Sequence, residues 1–599
     1  MKYFFFIFFL FSSLLLFGQT PYKYWYFGNR AGLDFSTQPP TSVMHTTMFT
    51  MEGSAVETDS IGNLIFYTNG RTVWNKNHDI MVNGDSLNGH ESSTQSSLIV
   101  KQPESSSVYY LFTTDAQAEE HGLQYSIIDM DTDGGNGSVQ SKNIKLIGHT
   151  SEKLTAIQHK NKKDYWILNH IDTTNHIYAY LLTNSGLNTS PIISKIGNIS
   201  PIAGHSNHGH MKANCRGDKL AVTHPKLDKI DVMDFDNSTG KLSNFIQLDP
   251  EHGSVYGVEF SPNGNLLYVS KTILGVYQFN LTLESEEKMN ACKYKVFENS
   301  GFVGALQLGP DGAIYLSNHF STKIDRIRYP NRLGEACGFE DNFMSLSNEN
   351  PKWKSPHPFC LIGLPNFRND TYVDGDSTFT FKVNCKSDSV EFIPENKNIT
   401  DIEWTVNYLE SGLTRTSSDL IPKLPFYEPG TYRIFLNAKY KGKWQTSTAD
   451  LYIQPNVPIE LPNDTIICSK NQYYIELDST YNYVWEDGIE GHERSFFYDG
   501  DYIVTAHGDC YCSTTDTLGI TFEDCCNLYF PNVFTPNADG LNDILMPSSK
   551  CTFDYYQLKV YNKWGILLAD LNENEPWDGK TGHTSCSPGV YFYTLEYRF

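Results

Sequence analysis

Gly257-Val258-Glu259-Phe260-Ser261-Pro262-Asn263-Gly264-Asn265-Leu266-Leu267-Tyr268 reads as a strand, a tight turn and a second strand. Apolar residues mark the two strands, while Pro262 presets φ, Asn263 bonds its own backbone and Gly264 accepts positive φ. Ala305-Leu306-Gln307-Leu308-Gly309-Pro310-Asp311-Gly312-Ala313-Ile314-Tyr315 has the same grammar. Toward the N-terminus the unit recurs with first strands at Ser54-Ala55-Val56, Ser97-Leu98-Ile99-Val100, Leu154-Thr155-Ala156-Ile157 and Met211-Lys212-Ala213, each followed by a second strand rich in large apolar residues. The copies fall about 44 to 58 residues apart, which suits four-stranded propeller blades with loops; solenoid units are usually shorter. Trp25 to Phe35 looks like the second half of a further blade and Phe359 to Leu364 like a first half. Pairing them closes the ring and leaves no open edge. The expected fold is all-β, with a propeller of about seven blades over residues 19–368.

The rest of the chain fits an exported, multidomain protein. Its 599 residues exceed what one core holds. A formal net charge of -23 argues against nucleic acid as a partner, since binding phosphate needs clustered Lys and Arg. Lys2 followed by the apolar run Tyr3 to Phe17 and then Gly18-Gln19 reads as a signal peptide over 1–18, too short to span a bilayer. Twelve cysteines in such a chain point to disulfides. Neither Cys510-Tyr511-Cys512 nor Cys525-Cys526 has the two-residue spacing that lets paired thiolates share one zinc. Pro429-Gly430-Thr431-Tyr432, preceded by Trp404, marks a β-sandwich over 369–456 of immunoglobulin or polycystic-kidney-disease-repeat type. A second Ig-like sandwich over 457–526 carries Trp485, and a bridge from Cys468 to Cys510 or Cys512 would staple it. Both read as spacers.

Residues 527–599 form a third small sandwich. Its signature is Thr535-Pro536-Asn537, Asp539-Gly540, Asn542-Asp543, Tyr561-Asn562-Lys563-Trp564-Gly565, Trp577-Asp578-Gly579 and Pro588-Gly589-Val590-Tyr591-Phe592-Tyr593. These motifs resemble, in order, the gliding-motility-associated, type B sorting domain that ends cargo proteins of the Bacteroidetes type IX secretion system. Where that family usually has Phe-Asn-Arg-Trp-Gly, Tyr561 and Lys563 keep the aromatic and cationic character. The resemblance implies export to the outside of the cell or its surface, with the type IX machinery and an outer-membrane companion protein as partners. Trp25 to Phe35, Tyr125 to Met130 and Gly363-Leu364-Pro365-Asn366-Phe367 likewise resemble the propeller found ahead of such domains, which carries no assigned activity.

Candidate binding residues follow from the repeat. Positions just before or at the start of each innermost strand face one mouth of the propeller channel: Glu52, Gln95, Glu152, His208, His210 and Tyr256. A water-filled mouth would be polar in any case, and such residues should carry little core packing. Glu52 and Glu152 could form a glycosidase pair if their carboxyls approach one another. His205, His208, His210, His224 and His252 invite a metal, yet the strand pattern brings only His208 and His210 to one face. Asp129, Asp131 and Asp133 alternate as in a calcium loop, but Gln140 stands where an EF-hand needs Glu, leaving a looser calcium site or a plain hairpin turn. Asn537, Asp539, Asn542 and Asp543 offer the same two readings. No hydrolase, zincin or phosphate-loop motif is present, so catalytic residues and cofactors are not assigned, calcium being the one cofactor left open.

The expected function is a secreted or surface-displayed binding protein, adhesin-like, with an extracellular glycan or protein ligand. Its alternative is a secreted polysaccharide hydrolase or lyase acting at the channel. Deleting Phe530 to Phe599 should trap the protein in the periplasm, as read by fractionation and immunoblotting. Unchanged extracellular protein would overturn the export route.

Overall fold

A computed structural model describes residues 22–44, 46–199, 208–250, 253–273, 275–283, 285–298, 301–346, 358–371, 379–384, 389–394, 399–426, 428–440, 443–453, 457–467, 472–507, 513–523, 526–572 and 575–599. The expected signal peptide, His205, His252, Cys385, Cys468, Cys510, Cys512 and Cys525 lie outside them. The chain forms two compact units, Met1–Gln454 and Pro455–Phe599.

Short turns join antiparallel strands in sequence, so each repeat folds into its own sheet. The sheets run, in order, from Tyr24–Phe27 to Thr41–Ser42, Ala55–Thr58 to Val73–Asn75, Ser97–Lys101 to Ser138–Ile147, Thr150–Gln158 to Ile192–Lys195, Met211–Ala213 to Lys241–Leu248, Val255–Phe260 to Tyr294–Phe297, and Val303–Leu308 to Phe339–Ser345. Within each, successive strands are hydrogen-bonded neighbours, except in the fourth, where Gly186–Leu187 and Ile192–Lys195 both pair with His176–Thr183. The turn at Ser261–Gly264 is the one its sequence promised: Gly264 has φ +70° and its N–H donates to the Ser261 carbonyl at 2.8 Å.

Apolar contacts between neighbouring sheets then build the ring. Ala55 and Phe66 pack with Ile99 and Leu111, Leu98 and Phe112 with Leu154 and Ile167, and Ile157 and Leu168 with Met211 and Leu220. Ala221 and Val232 pack with Val258 and Leu267, and Leu266 and Tyr268 with Leu306 and Leu316. The circle closes where Trp25 and Phe27 share a cluster with Val56 on one side and with Tyr315 and Ile324 on the other. Trp25 is fully buried, 5.6 Å from Tyr315 edge-on. This is a seven-bladed propeller with its edges hidden.

The segment expected to supply the innermost strand of the closing blade is less regular than the sequence suggests. It is held by isolated bridges of Asn29 to Phe359 and of Ser54 to Pro365 instead of a continuous ladder. The Ile362 carbonyl accepts from Ala305 N at 2.7 Å while Ile362 N donates to the Met51 carbonyl at 3.0 Å, so this short run joins the last sheet to the second. Pro365 has no N–H to give a ladder, which accounts for the irregularity.

Beyond the ring, the first unit holds a sandwich. Phe379–Asn384, Ser389–Pro394 and Lys423–Pro425 form one sheet; Thr414–Ser417, Ile399–Tyr408, Gly430–Tyr440 and Lys443–Ile453 form the other. Trp404, fully buried, packs between them against Phe379 and Phe392, and its Nε1 donates to the Asp419 carbonyl at 3.0 Å. Asp450 of this sandwich takes Arg433 at 2.8 Å and Arg332 of the propeller at 3.5 Å.

In the second unit, Thr465–Ile467, Thr514–Phe522, Gly500–His507 and Asn482–Trp485 form a sheet, and Tyr473–Glu476 pairs with Glu493–Phe496. Trp485 anchors their shared core. The last module is a sheet of Leu567–Asn572, Tyr555–Tyr561 and Phe592–Arg598 over Tyr556, Leu558, Val560 and Trp577. Cys526 and Cys551 are joined by a disulfide, and Cys292 is also disulfide-bonded.

Gly363 tests the closure. A Cβ built there would stand 1.6 Å from the Glu52 carbonyl oxygen. Gly363→Ala should therefore destabilise the propeller by about 1–3 kcal/mol or more, because the backbone must move. A thermal midpoint equal to the parent's by calorimetry would contradict this account of closure.

Candidate functional site

The innermost strands carry their N-terminal residues to one end of the propeller, and the sequence-predicted residues meet there. Tyr256 Oη donates to Glu52 Oε2 at 2.7 Å across a sequence separation of 204. Ser92 Oγ reaches Glu52 Oε1 at 3.1 Å. Glu152 accepts from Thr94 N at 2.8 Å and Thr94 Oγ1 at 2.7 Å on one oxygen, and from Gln117 N at 2.9 Å on the other. His210 lies edge-on to Tyr256 with ring centroids 5.2 Å apart, and His208 tilts over the same ring at 6.5 Å. Thr94 was not legible as a site residue. Its hydroxyl also accepts from Gly209 N at 3.1 Å, and only its place directly before Gln95 hinted at this.

Gln95 lies deeper. Its Oε1 accepts from Leu154 N at 3.0 Å and Met211 N at 2.8 Å, while Nε2 donates to the Met211 carbonyl at 3.0 Å and to Asn366 Oδ1 at 3.2 Å. Asn366 in turn donates to the carbonyls of Leu154 at 2.9 Å and Ser97 at 3.3 Å. These two side chains bind several blades together at the axis.

The cluster corrects the expectation that mouth residues carry little packing. Glu52, Gln95, Glu152, His210 and Tyr256 are all buried; His208 is half-buried. Burial comes first in setting their protonation, because a low-dielectric site disfavours charge. Desolvation, then repulsion from Glu152, pushes Glu52 up to about 8. Burial raises the Tyr256 phenol well above its usual range, lowers His208 to about 4 and His210 to about 3, and brings Lys153 down to about 8. Lys153 Nζ donates to the His208 carbonyl at 3.0 Å. At neutral pH the floor of the site therefore holds a protonated Glu52, a phenol and two neutral imidazoles beside a Lys153 ammonium that is still mostly charged.

Around this floor stands an aromatic rim that the repeat did not flag. Phe302 is 6.2 Å from Tyr256, and His319 is 5.7 Å from Phe302. Phe320 follows 3.9 Å from His319 and 5.9 Å from Phe359. Phe320 is 68% exposed at φ +58°, an unfavourable backbone conformation for a bulky residue. Phe49, bridged through Asn29 to the Phe359 segment, is also exposed. The one sequence signal was an aromatic in the loop after Leu316, where turn residues usually stand.

The metal candidates are not brought together. Among the described residues, no group of three His, Cys, Asp or Glu ligand atoms gathers at His208, His210 and His224, nor at Asp129, Asp131 and Asp133. His224 Nε2 instead pairs with Asp231 at 3.0 Å. Asp129 Oδ1 accepts from Asp131 N at 3.0 Å, and Thr132 Oγ1 donates to the Asp129 carbonyl at 2.7 Å, which is turn chemistry closing the Leu123–Asp129 and Ser138–Ile147 hairpin.

In the C-terminal module the signature residues build a loop and a groove. Asp543 accepts from the backbone N–H groups of Gly540 at 2.7 Å, Ala538 at 2.7 Å and Asn537 at 2.9 Å, and these bonds hold its carboxyl below the usual range. Asp539 accepts from Asn537 Nδ2 at 2.7 Å, and Thr535 N donates to the Asn542 carbonyl at 2.7 Å. Trp577 is buried between Phe534 and Tyr591, each 5.2 Å away, and donates to the Lys580 carbonyl at 2.9 Å. Asp578 pairs with Lys580 at 2.8 Å, and Gly579, at φ +76°, lets Pro536 approach. Pro536, Trp577, Gly589 and Tyr591 line a groove of about 1030 Å³ whose edge exposes Val533, Val590 and Phe592. Trp564 stands apart, 77% exposed, on a turn where Gly565 N donates to the Asn562 carbonyl at 2.9 Å.

Residues 528–598 match the CHU_C Type IX secretion signal domain. The protein is secreted or displayed at the cell surface, and it engages the type IX secretion machinery. No curated protein matches the chain. Similar solved structures include a 6-phosphogluconolactonase-like protein from Bacteroides uniformis, 13% identical with TM-score 0.31, covering 62% of this chain and 96% of that one. Hsv2 of Kluyveromyces lactis is 12% identical with TM-score 0.31, covering 50% and 91%. The periplasmic gluconolactonase PpgL of Pseudomonas aeruginosa is 12% identical with TM-score 0.28, covering 57% and 88%. Among the described residues no helix is long and apolar enough to cross a membrane.

Glu52 gives the site a pH signature. The folded chain keeps this proton up to about pH 8, whereas the unfolded chain releases it near 4.5, so the group's contribution to stability falls as pH rises through that window. Glu52→Gln removes the term. Thermal midpoints of the two proteins should agree near pH 4.5 and separate toward pH 8 in favour of the variant, by up to a few kcal/mol. Parallel midpoint curves across that range would show that Glu52 is ionised in the folded protein.

Proposed function

We propose that this protein is a secreted or surface-held binding protein that captures an extracellular glycan at the propeller mouth. One observation carries the reading: exposed Phe302 stands 6.2 Å from Tyr256 and runs through His319 to exposed Phe320, beside a cluster of hydrogen-bonding groups that includes Glu52 and His210. A sugar ring has apolar faces and hydroxyl edges, and aromatic faces beside fixed polar groups suit both. Exposed aromatics clustered on one face are what a binding surface needs. The sandwiches around Trp404 and Trp485 serve as spacers of immunoglobulin-like type, and a signal peptide over residues 1–18 starts the export that the C-terminal domain completes.

A polysaccharide hydrolase or lyase is the second reading, favoured by the proton that Glu52 retains at neutral pH. Against it stands Glu152, buried at 3% exposure and tied by three hydrogen bonds to Thr94 and Gln117. A nucleophile or base must be reachable by substrate. Binding without turnover is therefore the reading we favour.

A glycan array probed with the purified full-length protein, followed by product analysis of any retained glycan, tests both. Retention without new reducing ends is expected. Phe320→Ala and Phe302→Ala should each weaken capture about tenfold or more while leaving the thermal midpoint within about 1 kcal/mol equivalent, since hot-spot aromatics carry binding and Phe320 carries little packing. Undiminished capture by both variants would overturn the assignment to this mouth, and new reducing ends would favour the enzyme.

A further inference from the structure

The second sandwich carries a donor set unrelated to the propeller mouth. Glu476 ends the strand Tyr473–Glu476 and Glu493 begins Glu493–Phe496, and the antiparallel register puts them directly opposite each other. His492 precedes Glu493, and its carbonyl accepts from Leu477 N at 2.7 Å, which fixes the imidazole at the same end of the hairpin. One ligand atom from each of the three residues lies within 4.8 Å of the others. His492 Nε2 is 3.6 Å from Glu493 Oε1.

Two carboxylates facing each other across a strand pair repel. The nearest guanidinium, Arg494, is committed to Asp487 through bonds of 3.0 and 2.6 Å. Among the described residues no Lys or Arg pairs with Glu476 or Glu493. The Tyr474 hydroxyl donates to Glu493 and His492 stands beside it, but neither supplies a fixed positive charge to the opposed carboxylates. We infer that Glu476, His492 and Glu493 bind a divalent transition-metal ion, zinc by preference, which clips the two-stranded sheet shut.

The donor chemistry selects the class. Calcium and magnesium take all-oxygen sets, whereas one imidazole with two carboxylates suits zinc and its first-row neighbours. Three protein ligands leave a fourth position for water. A shift of about an ångström in the two exposed glutamates brings the donors to zinc distances of about 2.0–2.2 Å. A two-stranded sheet is marginal alone, so a clip that closes the loop between Glu476 and Glu493 stabilises this sandwich once the chain meets extracellular metal.

The test uses the tag-free, full-length protein, stripped with chelator and titrated with zinc by calorimetry, beside Glu476→Gln/His492→Ala. Counting against that variant isolates this site from the other histidines. The parent should bind one more equivalent than the variant, and zinc should raise the parent's thermal midpoint but not the variant's. Circular dichroism of the metal-free variant should match the parent, because all three side chains sit on the surface. Equal stoichiometry in the two proteins would overturn the site. Calcium giving the same rise, lost in the same variant, would overturn the assignment to a transition metal.

Discussion

Asn366 and Gln95 hold the propeller at its centre. A ring of separate sheets has no continuous backbone ladder between blades, so apolar packing alone would leave the axis as a channel of unpaired strand ends. Gln95 meets the backbone of two neighbouring blades and the side chain of Asn366, and Asn366 returns bonds to two carbonyls. A buried amide with its donors and acceptors matched is strongly favoured over one left unpaired. The same run of chain passes Gly363, where only a hydrogen fits beside the Glu52 carbonyl, and ends at Arg368, buried against Glu57, Asp370 and Tyr22. Closure of the ring, plugging of the axis and the position of Glu52 therefore rest on one stretch, 359–370.

That plug decides what the mouth can be. With Gln95 and Asn366 filling the axis, a ligand meets a shallow floor instead of a pore. Burial keeps Glu52 protonated and His208 and His210 neutral there, while Lys153, brought down only to about 8, still carries its charge at neutral pH. On the proposed reading, a hydroxylated ligand would meet donors, acceptors and aromatic faces at this mouth.

The C-terminal module obeys a different logic. Its signature residues mostly bond and pack against one another. Asp543 organises its own loop by collecting three amide protons, and Trp577 wedges against Phe534 and Tyr591 so that Gly579 can sit beneath Pro536. Apart from the exposed Trp564 turn, much of the motif lines or supports one concave apolar surface, which suits a domain whose task is to be recognised.

The repeated strand–turn–strand grammar determined the all-β class and a propeller of about seven blades, because strand alternation and Pro/Asn/Gly turns are local properties. Spacing also fixed which residues begin each innermost strand, and so brought Glu52, Glu152, His210 and Tyr256 onto one list. Sequence could not show that these residues are buried and satisfied by one another, because Tyr256 reaches Glu52 and Gln95 reaches Met211 only after the ring has closed. Nor could it find Thr94, Phe302 or Phe320, which lie outside the repeated strands and acquire meaning from neighbours on other blades. Glu476 and Glu493 became opposed through a register set by pairing, not by composition. Periodicity is written residue by residue along the chain, whereas burial, pKa and convergence belong to pairs distant in sequence, and only the folded ring chooses those pairs.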